Sequence, residues 1–214
     1  MNKNEPYGEP VGPDARQTLT LRSVFARRKF FPADGLADIA DALTFGEDAL
    51  GGGLVKAEVV QACELKTRRC FFLRRDESGA PEGFIALLYL NDAGFRALMY
   101  GRFTPEDPDL EHLAAETESA AAIYVWCLAG READTKRAVV RAVTEARRKA
   151  FPDIALFARP VSREGRMMTA ALDAPGAGAA WLGWVPAQPR TINENASKGN
   201  SDGWDEFGGI RAAG

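Results

Sequence analysis

Three basic residues, Arg131, Lys136 and Arg137, crowd the point where an apolar run gives way to a helical repeat. Cationic side chains beside the free amides of a helix start suit an anion, above all a phosphate. The plainer reading is a solvated first helical turn. Upstream, Glu111, His112 and Glu116 recur about one turn apart, and Glu118 follows. If residues 110–119 are helical, those groups share a face and could move protons. The plainer reading there is a short acidic helix facing water. Cys127 would need a neighbouring base to become a thiolate nucleophile, and the local sequence offers none, so it reads as a small hydrophobe. Tyr89, Tyr100, Tyr124 and Trp126 lie in apolar runs and read as core.

The elements that would position these groups lie in residues 121–157. AAIYVWCLAG is a continuous apolar run that stops at Gly130, as a strand covered on both faces would. After the polar loop, Val139, Val140, Val143, Ala146 and Ala150 recur at helical spacing. Phe151-Pro152 ends that repeat, and residues 154–157 resume a strand pattern. The result is a β-α-β unit with a loop and helix start available to an anion. Asp134 or Thr135 could instead cap the helix and occupy those amides.

Earlier in the chain, residues 1–17 are rich in Pro, Gly and Asn and read as a flexible arm. LTLRSVF alternates as a strand would, and GLADIADALTF and LVKAEVVQACEL follow as amphipathic helices. RCFFLRRDE and EGFIALLYLN flank a turn and form a hairpin pattern. Residues 92–103 are compatible with strand or helix, with strand favoured. After the β-α-β unit, residues 159–172 carry a helical pattern in which Ser162 reads as an N-cap. AWLGWVP reads as a last strand, and residues 188–214 read as a disordered tail. The domain proper is thus expected over residues 18–187.

Composition narrows the function classes. The chain has 214 residues, 46% hydrophobic and 27% charged, which suits a single globular domain. A net charge of -3 argues against a nucleic-acid partner. No apolar run nears the roughly 20 residues that span a bilayer, and the N-terminal residues lack the apolar core of a secretory signal. Three cysteines without C-x-x-C spacing and a single histidine argue against a metal site. A reduced, cytoplasmic location is expected.

The order of elements, with paired helices after a first strand, resembles the GNAT superfamily of acyl-CoA-dependent N-acyltransferases. The likeness spans roughly residues 19–186. It is sharpest where a strand meets the family's Arg/Gln-x-x-Gly-x-Gly/Ala loop, whose backbone amides hold the pyrophosphate of coenzyme A. Arg131 falls on the first position of that motif, and AVVRAVTEARRK resembles the helix after it. Asp134 and Lys136 stand where the family has its two glycines. Leu182-Gly183-Trp184 looks like a variant of the family's closing Gly-Phe pattern.

The resemblance implies an α/β (α+β) fold with a mixed, mostly antiparallel central sheet flanked by helices. It implies acetyl-CoA or another acyl-CoA as co-substrate, without a metal. Arg131, Lys136 and Arg137 would hold the pyrophosphate, and backbone groups of Trp126, Cys127 and Leu128 would orient the thioester. Glu116 or Glu118 would take the proton from an amine acceptor, either a small molecule or a protein. A homodimer stays open. Loss of the signature glycines equally suits a member that keeps the fold, lacks catalysis and acts as a binding or regulatory partner.

Overall fold

The computed structural model describes residues 15–50, 53–160, 163, 165–167 and 181–182. Its centre is strand β4, Ala122–Gly130, which pairs antiparallel with β3, Pro81–Leu90, on one side. On the other side it pairs in parallel with β5, Ala155–Ala158. The hairpin partner of β3 is β2, Phe71–Arg75, and β2 in turn pairs with the short β1, Phe31–Pro32. The two-residue β6, Trp181–Leu182, adds to β5. The sheet therefore runs in chain order from β1 to β6, antiparallel through β4 and parallel after it. This is a mixed, mostly antiparallel α+β fold.

Helices cover both faces. On one, α1 (Ala15–Ala26) and α5 (Ala133–Ala150) pack on Phe72, Ile85, Leu87, Ile123 and Val125. The α5 side chains that reach the sheet are Val139, Val143, Ala146 and Ala150, the helical repeat that also marked it in sequence. Glu145 bonds Arg27 and Arg28 at 3.1 and 3.2 Å and ties the two helices together. On the other face, α2 (Leu36–Leu50) and α3 (Ala57–Thr67) cover Phe71, Phe84 and Ala86. Helix α4, Asp92–Met99, closes that layer beside Leu88, Tyr124 and Phe157.

Four expectations change. LTLRSVF is helical, and α1 begins at Ala15, inside the expected arm. Its buried positions Thr18, Leu21, Arg22 and Phe25 follow the helical repeat, but two of them are polar, which disguised the pattern. Residues 92–99 form a helix and not a strand, because the Asn91 carboxamide accepts the Gly94 amide at 3.0 Å and starts it. Residues 110–119 hold one 3-10 turn, Leu110–His112, then a single bridge from Leu113 to Leu90 at the end of β3 and a turn over residues 116–118. Glu111, His112 and Glu116 therefore share no helix face. Finally, neither Asp134 nor Thr135 caps α5: Glu132 takes the cap position without a side-chain bond.

Residues 1–14 and 188–214 and most of the helix expected over residues 159–172 lie outside the described residues; residues 163 and 165–167 of that helix are described and helical. Among the described residues, no helix is long and apolar enough to cross a membrane.

Candidate functional site

Strand β4 changes character halfway along. Leu87 faces Val125 and Ala86 faces Cys127, so Trp126 is an extra residue, a β-bulge. The bulge breaks strand alternation. Val125 and Leu128 pack on the α1–α5 face, whereas Trp126 and Cys127, though consecutive, both pack toward α2. The parallel ladder with β5 stops at the same place, at Val125 opposite Ala158. From Trp126 to Leu128 the strand is half-buried, after four fully buried residues. A bulge beside the end of a ladder is a common way to aim side chains and expose backbone at a site.

A cavity of about 310 Å³ opens against this stretch, between the sheet and α2–α3. Most of the side chains that line it are apolar: Leu43 from α2, Val60 from α3, Phe71 and Phe84 from the hairpin, and Trp126. Gly46 brings α2 this close. A Cβ there would stand 2.8 Å from both Leu54 and Phe84, so a side chain would push the helix off the sheet. Among the described residues, the charged groups lining the cavity are Glu106, in the segment after α4, and Arg159, just past β5. Both side chains are exposed, at the mouth.

Two titratable groups lie further in. Burial pushes the Tyr124 hydroxyl up to about 12, with Arg159 lowering it and Glu106 raising it. Burial alone pushes the Cys127 thiol up to about 12. Cys127 is thus a protonated wall residue near neutral pH and no thiolate nucleophile. Sequence reading had no signal for Glu106 or Arg159. Glu106 is one of several acidic residues in a Pro-bounded segment and Arg159 a single charge before Pro160, and only the fold brings them to one cavity.

At the far end of β4 the chain turns sharply into α5. Gly130 faces Gly83 across the β3–β4 pair. A Cβ on Gly130 would lie 2.8 Å from the Lys136 amide nitrogen, and one on Gly83 would lie 2.6 Å from the Thr135 methyl. The close backbone approach that the loop needs is therefore supplied by glycines on the two strands, not at positions 134 and 136. Thr135 is buried and donates to Glu82 at 3.4 Å, and Glu82 also pairs with Arg74.

The basic residues around this turn go to different places. Arg131 donates to the Pro81 carbonyl at 3.0 Å and lies over the Phe45 ring, 5.3 Å from its centre. Arg137 pairs with Asp134 on the exposed side of the first turn. Lys136 is half-buried between them. All three remain around the α5 start, but Asp134 offsets part of their charge.

Glu116 and Glu118 sit elsewhere. Glu116 bonds Arg22 at 3.1 Å and approaches Arg68 at 3.8 Å. Glu118 accepts the Ala115 amide at 3.1 Å, and its own carbonyl accepts Arg69 at 2.9 Å. Neither lines the cavity. Both hold the chain entering β4 against α1 and the α3–β2 corner.

The chain matches no protein family, no curated protein and no solved structure. Among the described residues, no group of three or more His, Cys, Asp or Glu could hold a metal.

Proposed function

We propose that this chain is a cytoplasmic acyl-CoA-dependent N-acyltransferase that moves an acyl group, most simply acetyl, to an amine. The observation that carries the reading is the bulge at Trp126, set where β5 leaves β4 and where the cavity opens. Backbone groups of Trp126, Cys127 and Leu128 lie on that stretch and would align a thioester. The amides at the start of α5, which no side chain caps, would take the pyrophosphate with Arg131, Lys136 and Arg137. All three cysteines are free thiols, which suits a reducing compartment.

The amine acceptor would enter the cavity as an ammonium ion. Glu106, the carboxylate at its mouth, would remove one proton. The nitrogen then attacks the thioester carbonyl carbon, a C–N bond forms, and the C–S bond breaks. The departing thiolate takes the second proton of the attacking nitrogen, relayed through water, which leaves a neutral amide and the free thiol of coenzyme A. In this arrangement Glu116 and Glu118 are structural, because their carboxylates are engaged with Arg22, Arg68 and the Ala115 amide.

The Asp134–Arg137 pair supports a second reading, in which the chain keeps this fold as a non-catalytic binding partner. Thermal unfolding with acetyl-CoA separates the two. Saturation at about a hundred times Kd adds about 2.7 kcal/mol, which is on the order of 5–10 °C for a domain this size. Arg131→Ala should shrink the shift, and Asp134→Asn should enlarge it by removing the opposing charge. An unmoved melting temperature with acetyl-CoA and with longer acyl-CoA esters leaves the binding-partner reading.

A further inference from the structure

We infer that the cavity takes a free α-amino acid with a large apolar side chain, its ammonium at Glu106 and its carboxylate at Arg159. That this molecule is the acceptor rests on the acyltransfer reading; that it binds does not.

The cavity combines features that few ligand classes match. Most of the side chains that line it are hydrocarbon and aromatic, from Leu43, Leu54, Val60, Phe71, Phe84 and Trp126. Such side chains reward a buried apolar group. The volume of about 310 Å³ is at the small end of ligand pockets, enough for one amino-acid side chain and its backbone. A peptide or a protein tail would not be enclosed.

The mouth then sets the head group. Glu106 and Arg159 arrive from different parts of the chain, and both act electrostatically on the same Tyr124 hydroxyl. Both line the same cavity and both are exposed, where it meets solvent. Neither forms an ion pair with a described residue. Opposite charges at one opening, unspent on each other, match a head that carries both signs. A simple apolar amine would leave Arg159 unused, and a fatty acid would meet Glu106. A zwitterionic α-amino acid answers both and sends its side chain inward.

The test is calorimetric titration of the full chain with L-phenylalanine and L-leucine, each with and without coenzyme A present. Two analogues remove one charge each: 2-phenylethylamine lacks the carboxylate and 3-phenylpropanoate lacks the ammonium. Both amino acids should bind at least about tenfold tighter than either analogue. Arg159→Ala should lower phenylalanine affinity by about tenfold or more and leave 2-phenylethylamine unchanged. Glu106→Gln should weaken phenylalanine and leave 3-phenylpropanoate unchanged. Both side chains are exposed, so both variants should keep the wild-type melting temperature, which is checked first.

Equal binding of phenylalanine and 2-phenylethylamine overturns the inference. So does no binding up to about 10 mM amino acid, or an Arg159→Ala variant that binds phenylalanine as the wild type does. Amino-acid binding without any acetyl-CoA response supports this cavity assignment and sinks acyl transfer. An acetyl-CoA response without amino-acid binding does the reverse.

Discussion

Two groups of charged side chains among the described residues are used in opposite ways. Where the chain enters β4, Arg69 is fully buried and donates to Thr18 at 3.2 Å, to the Ala115 carbonyl at 3.3 Å and to the Glu118 carbonyl at 2.9 Å. It also lies 4.6 Å from the centre of the Tyr89 ring. Glu64, equally buried, accepts the Cys70 and Phe71 amides at 2.7 and 2.8 Å and starts β2. Arg22 spans to the Arg68 carbonyl and to Glu116. Past the bulge, Glu106 and Arg159 rim the cavity and stay in water. Buried, bonded charges fix how segments meet, because removing one strands its partners in a dry place. Charges at an open mouth cost little to keep there and remain available to a ligand.

The contrast breaks most visibly at Arg69. Arg69→Met should destabilise the fold by about 3–5 kcal/mol, since buried Thr18 and two part-buried carbonyls lose their donor. Urea unfolding would show it as a lower midpoint, and a loss under about 1 kcal/mol would mean that this cluster is not what joins α1 to the sheet. Next in size is Gly130→Ala, where the added methyl meets the first turn of α5. Overpacking of this kind costs about 1–3 kcal/mol. It should also weaken acetyl-CoA binding, because it displaces the helix start.

Glu145→Gln should be milder, about 0.5 kcal/mol, because the group is near the surface. Its carboxyl lies below its usual value, chiefly through the hydrogen bond from Lys149, with Arg27 and Arg28 adding to it. A lowered folded-state value means that the contribution is complete above the ordinary carboxylate range. It is lost as pH falls through the lowered folded value. The wild type should therefore lose stability faster than Glu145→Gln on acidification, and parallel acid limbs would contradict the assignment. At the cavity mouth, Arg159→Ala and Glu106→Gln should change stability by less than about 0.5 kcal/mol. A larger loss in either would move that residue from the site to the architecture.

The parts legible in sequence were those whose burial follows a single period. Val139, Val143, Ala146 and Ala150 face one layer, and the β4 run is apolar because both of its faces are covered. Helix α1 was misread because the helical stripe includes Thr18 and Arg22, buried polar groups whose partners come from distant segments. The bulge could not be read from AIYVWCLAG, because it exists only in the pairing with Ala86 and Leu87. Glu106 and Arg159 were missed for the same reason. Neither charge carries a pattern until the fold brings both to one cavity. Arg131, Lys136 and Arg137 were legible as a cluster around the start of α5, but the Asp134–Arg137 pair and the Arg131–Phe45 contact were not.

On the proposed reading, ligand binds at the bulged end of β4 and not at the charge-paired end where the strand begins. Amide hydrogen exchange with and without saturating acetyl-CoA tests it directly. Protection should appear over residues 126–137, with residues 110–118 unchanged. Protection confined to residues 110–118, or none at all, would contradict it.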